Sequence, residues 1–268
     1  METIPTAVTT AVLISIGVWL LIVLVILVGG SFHPAVRNCR SQMLLKWKPA
    51  LVITVIYLLS RGLGGVPILD LTAVAIFCQV MLGLAIAVNI EGFEPLTVAN
   101  AFRHKQNISG QVILLLVISV LMAGLALIAG SLGLDVARWV FGETNFTQAA
   151  ASNLSSAAPN KWMFFFLFLS GSGIGEETPF RLVFLTLIWK VSGRKWLAIV
   201  LSALVFGVYH LTPLNSMYLI YWQFPISQVV AGTLIGLVWG YLFTRRGYET
   251  VVLGHTLTNW IPMMLFPI

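Results

Sequence analysis

Glu176 and Glu177 stand side by side, with Arg181 four residues on, in a chain where charge is scarce. The stretches on either side, 162–169 and 182–189, are almost wholly aromatic and aliphatic. Three charges inside such a run cost roughly 2.5–3.5 kcal/mol each on insertion scales. On a helix, residues four apart share a face and adjacent residues diverge by about 100°. Glu177 and Arg181 are therefore expected to pair, which leaves Glu176 turned away and free to act as a general base. Pro179 removes one backbone hydrogen bond and is expected to kink the helix, with Gly171, Gly173 and Gly175 just before it.

Two further pairs carry polar chemistry into apolar surroundings. Phe206 and His210 lie four apart near the end of one span, and His255 and Asn259 lie four apart within the last. At about 1.5 Å per residue, Glu176 lies roughly 21 Å from Lys190 and His210 roughly 22 Å from Lys195. Asn259 lies roughly 20 Å from Arg246, with His255 one turn nearer the basic end. Similar depths on three helices predict one pocket. A carboxylate with an imidazole can activate water, and a second imidazole with an amide can donate to an oxyanion. This set suits amide hydrolysis without a covalent intermediate. The sequence has no GxSxG elbow and no HExxH. A metalloendopeptidase-like zinc site can be drawn from Glu176, His210 and His255, but the amide of Asn259 is a poor zinc ligand, so no cofactor is expected.

The elements that position these residues can be read from composition. The chain is 59% hydrophobic and 9% charged, with a mean hydropathy of +0.96. Such values exclude a water-soluble domain and predict an all-α polytopic membrane protein. Apolar runs place eight spans near 7–29, 49–67, 71–90, 110–130, 161–189, 196–213, 217–244 and 249–267. The first lacks a preceding basic residue and is too long for a cleaved signal peptide. Residues 1–130 read as a four-helix scaffold, 131–160 as an extracytoplasmic loop and 160–268 as the catalytic core. That loop holds two glycosylation sequons, at Asn145 and Asn153. Asp70 and Arg61 fall by a glycine-rich outer turn, and no internal repeat is visible.

Lys and Arg collect at 37–48, 103–105, 190–195 and 245–246, on alternate loops. The positive-inside rule puts those loops in the cytoplasm and both termini outside. The net charge of +6 and pI near 9.6 are then loop residues facing lipid headgroups rather than a nucleic-acid surface. Cys39 falls in a loop and Cys78 in a span, so they are not expected to pair. The stripe Gly232, Gly236, Gly240 predicts close helix packing.

The three polar groupings, in this order on three late helices, resemble the CAAX prenyl endopeptidase type II family, also called CPBP intramembrane proteases. The resemblance covers about 160–262. It implies eight helices and an endopeptidase opening to the cytoplasmic side. It implies Glu176 and His255 as the water-activating pair and His210 and Asn259 as oxyanion donors, with Glu177, Arg181 and Phe206 in support. The implied partners are the bilayer and a membrane-bound peptide or protein, prenylated if the host prenylates its proteins. The membrane would be the plasma membrane in a prokaryote and the endoplasmic reticulum in a eukaryote. Competing readings are a non-catalytic binding or bacteriocin-immunity protein on the same fold, and a proton-coupled transporter, which the missing repeat disfavours.

Overall fold

In a bilayer, backbone amides have no water to bond, and long apolar runs satisfy themselves as helices. The computed structural model describes residues 6–29, 33, 39–68, 71–142, 160–215 and 217–265. Among them there is no strand. The first half consists of α1 (Thr6–Gly29), α2 (Cys39–Leu45), α3 (Trp47–Leu63), α4 (Thr72–Ala87), α5 (Thr97–Arg103) and α6 (Ile108–Phe141). A composite helix comes next, here α7, made of Lys161–Phe168, Leu169–Glu176, Thr178–Leu185 and Thr186–Ser192. The two middle stretches are wound as π-helix. Then come α8 (Lys195–Tyr209), the short α9 (Tyr218–Tyr221) and α10 (Pro225–Leu265).

By length and apolar composition, α6 and α10 qualify as membrane-crossing helices among the described residues. The eight expected spans are not each matched by one long helix. Changes of winding divide α7, and expected spans seven and eight run together as α10. α6 continues eleven residues past the expected boundary at 130, so 131–141 is helix rather than loop. Asp135 and Arg138 in this stretch pair across one turn at 3.8 Å. The remainder of the expected loop, with both sequons, lies outside the described residues, as does Asp70.

α10 is a hairpin. Gly247 has φ 76° and ψ −174°, a conformation almost confined to glycine. A Cβ there would meet the Pro95 carbonyl oxygen at 2.7 Å. The chain turns back at this corner, and Trp239 in the first limb stacks on His255 in the second. The corner is tied down on both flanks. Tyr248 donates its amide to the Pro95 carbonyl at 2.7 Å, and the Glu249 carboxylate accepts from Val98 and Ala99 amides at 2.8 Å each.

The glycine stripe packs as expected. Cβ atoms on Gly232, Gly236 and Gly240 would fall 3.1, 2.9 and 3.1 Å from Gly207, Ala203 and Ile199 of α8. That closeness draws α8, which carries Phe206 and ends at His210, onto the first limb of α10. α6 lies along both limbs, with Ser119 donating to the Thr250 carbonyl at 3.1 Å. α4 is buried along most of its length and packs on the π-wound part of α7.

Candidate active site

α7 supplies the acids where its winding widens. A π-turn bonds i to i+5 and often marks a functional site. One π stretch ends at Glu176 and the next begins at Thr178, with Pro179 in its first turn. The expected break at Pro179 is thus met by a change of winding that keeps the helix continuous. Gly173 lets the second limb of α10 come close, since a Cβ there would lie 2.5 Å from the Thr256 hydroxyl. This approach brings His255 within reach of both glutamates.

Glu177 and Arg181 are fully buried, and Arg181 Nε lies 3.2 Å from Glu177 Oε2. This is an ion pair without a well-directed hydrogen bond. Arg181 Nη2 donates to the Gly236 carbonyl at 3.4 Å, and the guanidinium lies 4.3 Å from the centre of the Phe206 ring. A cation over an aromatic face recovers part of the lost hydration. Phe206 thus faces the guanidinium and also meets both histidine rings edge-on.

The other oxygen of Glu177 has a partner that sequence reasoning missed. Glu177 Oε1 lies 2.6 Å from His255 Nδ1. An ionised carboxylate only accepts, so Nδ1–H donates. On the far edge of the same ring, Nε2 lies 3.9 Å from Glu176 Oε2. Glu176 keeps 18% side-chain exposure, while Glu177 has none. The two acids thus differ in burial as expected, yet both address one imidazole. Trp239, fully buried, stacks on that ring at 5.8 Å.

His210 caps α8, and its Nδ1 donates to the Phe206 carbonyl at 2.8 Å. Glu176 is within electrostatic range of His210, Tyr209 and Tyr221. Tyr209 and Tyr221 flank the His210 ring at 5.4 Å each. Asn259, one turn beyond His255, is partly exposed and makes no hydrogen bond to the cluster among the described residues. Six of the seven expected residues therefore meet: Glu176, Glu177, Arg181, Phe206, His210 and His255. Trp239, Tyr209 and Tyr221 were not foreseen. Only adjacency to His210 could have flagged Tyr209, and a tryptophan beside a glycine stripe could have flagged Trp239.

The metalloendopeptidase-like alternative finds no support in the donor set. Among the described residues no three His, Cys, Asp or Glu side chains are grouped to hold an ion.

Residues 158–261 match the model of the type II CAAX prenyl endopeptidase Rce1-like family. No curated protein and no solved structure matches the chain. The matched segment holds all seven expected site residues and is similar to that family over this range.

Proposed function

We propose that this chain is an intramembrane endopeptidase that cleaves a membrane-associated protein or peptide with a water activated at Glu176. The observation that carries the reading is the His255 ring held between two carboxylates, Glu177 at Nδ1 and Glu176 facing Nε2. A carboxylate on Nδ1 fixes the ring's orientation and leaves Nε2 toward the reacting atoms, the logic of a base steadied by a third group. Glu176 and His255 Nε2 flank the water. Its oxygen attacks the peptide carbonyl carbon as its proton passes to Glu176, and the proton then goes to the departing amine.

The oxyanion falls to His210 and Asn259 in this scheme. One observation favours exchanging the histidines. The Phe206 carbonyl can only accept, so a neutral His210 carries its proton on Nδ1 and a lone pair on Nε2. That nitrogen suits a water-holding role beside Glu176. His255, flanked by two carboxylates, can hold both ring protons and donate from Nε2 to the oxyanion. Gln in place of each histidine separates the two. An oxyanion donor replaced by Gln keeps an N–H and should lose less than the roughly 10²–10³ in rate that removing a donor costs, whereas the water-holding histidine loses more. Whichever variant retains more activity marks the donor.

The substrate class comes from the family: a CaaX-type C-terminal tail, prenylated where the host attaches such lipids, reached from the cytoplasmic side. The test is purified full-length protein in lipid with a prenylated and an unprenylated CaaX peptide. Cleavage by the native protein and none by Glu176→Ala is expected. Proton-coupled uptake without cleavage, or an unchanged cellular phenotype in the variant, would instead favour the transporter or immunity readings. We expect no cofactor requirement: strong chelation should at most weaken cleavage, and an activity abolished by chelator and restored by zinc would count against this mechanism.

A further inference from the structure

A shallow cleft lies away from the glutamates, where the start of α6 meets the Gly247 corner. It is small, about 40 Å³, and partly open to the surroundings. Its polar lining is Thr97, Gln111, Arg245, Arg246 and the buried Thr250. Its apolar lining is Leu114, Leu115 and Ile118 of α6. The two threonine hydroxyls are used internally, both donating to the Arg246 carbonyl. The Arg246 guanidinium and the Gln111 amide have no protein partner among the described residues, and Arg245 lies 5.7 Å from the Tyr241 ring. Glu249, close by, also accepts from Thr97, and its oxygens are taken up by that hydroxyl and two backbone amides. No acid lines the cleft itself.

We propose that this cleft binds an anionic phospholipid, with the phosphate at Arg245, Arg246 and Gln111 and an acyl chain along Leu114, Leu115 and Ile118. The apolar neighbourhood favours a lipid over a small anion. Two guanidiniums and an amide offer charge-assisted donors, with Leu114, Leu115 and Ile118 beside them and Ile113, Leu116 and Val117 exposed on the same helix. Arg245 and Arg246 belong to the basic set that the charge rule assigns to the cytoplasmic face, where anionic lipids concentrate. None of the active-site residues lines the cleft. The occupant would brace the corner from which the His255 limb departs, so its binding reads out as stability.

The test is the unfolding midpoint of full-length protein in neutral detergent, with added phosphatidylglycerol, phosphatidylcholine or inorganic phosphate. Phosphatidylglycerol near saturation should raise the midpoint by roughly 5 °C, and the other two should not. The shift should vanish in Arg245→Gln/Arg246→Gln. Leu115→Trp, which fills the apolar wall and keeps both arginines, should also abolish it, and carries the test if the double variant does not fold. An equal shift with inorganic phosphate would overturn the lipid in favour of a free anion. A shift that survives Leu115→Trp would overturn the cleft, and release by a CaaX peptide carboxylate alone would mean a substrate-tail site instead.

Discussion

α6 and α7 are helices of similar length that the same protein builds for opposite purposes. α6 keeps regular winding for 34 residues and buries small residues: Ser119, Ala123, Ala126, Gly130, Gly133 and Ala137. Its other faces expose Leu, Ile and Val throughout. α7 abandons regular winding at mid-length and buries Glu177, Arg181, Thr178 and Thr186 completely. A regular apolar helix can be held by close backbone contact alone. A helix that carries charge must find partners for each polar atom, and wider turns re-aim side chains toward them.

Substitutions that erase this difference should rank by how much they leave unpaired. The largest expected effect on rate is Glu176→Gln, which should lower peptide cleavage by about 10³-fold or more while the unfolding midpoint moves little. Single-turnover cleavage beside a melting curve checks both. Arg181→Leu should be the largest on stability, since it strands the buried Glu177. Breaking such a pair costs about 3–5 kcal/mol, read as lost expression or a much lower midpoint. The double change Arg181→Leu/Glu177→Leu should recover part of it.

Glu177→Gln is intermediate. A purely structural acid would lose stability and keep its rate per folded molecule. The 2.6 Å contact with His255 predicts otherwise: a roughly 10–100-fold loss of rate as well, because ring orientation and basicity depend on that carboxylate. Rate normalised to folded protein decides between them. Gly247→Ala should be the mildest on rate per folded molecule. Its stability cost should exceed the about 1–3 kcal/mol of backbone strain alone, because the added Cβ would also meet the Pro95 carbonyl oxygen, and a melting curve reads it.

The grouping of the polar residues was legible in the sequence because a charge in an apolar run has few harmless explanations. Helical spacing correctly paired Glu177 with Arg181. It missed the second partner, since regular geometry sends Glu176 and Glu177 apart and gives each a separate neighbour. An imidazole presents nitrogens on opposite edges, so two diverging carboxylates can still meet one ring when a helix from elsewhere inserts between them. That insertion depends on Gly173 and on the Gly247 corner, neither of which carries a charge to draw notice. Trp239 was illegible for the same reason, one aromatic among many in an apolar limb. The extension of α6 to Phe141 carries Asp135 and Arg138 at the i, i+3 spacing of a helical pair, a signal that the polar composition of 131–160 as a whole concealed.

The corner at Gly247 has a further meaning for the changes this chain tolerates. Trp239 and His255 stand at equal distances along the chain on either side of it, and their rings meet. The hairpin therefore measures length as well as residue identity. One residue inserted into either limb would rotate the remainder of that limb by about 100° and move it by about 1.5 Å, turning the imidazole off both glutamates. Many single replacements in these limbs can be absorbed by the surrounding packing, but a single-residue insertion or deletion between 239 and 255 cannot.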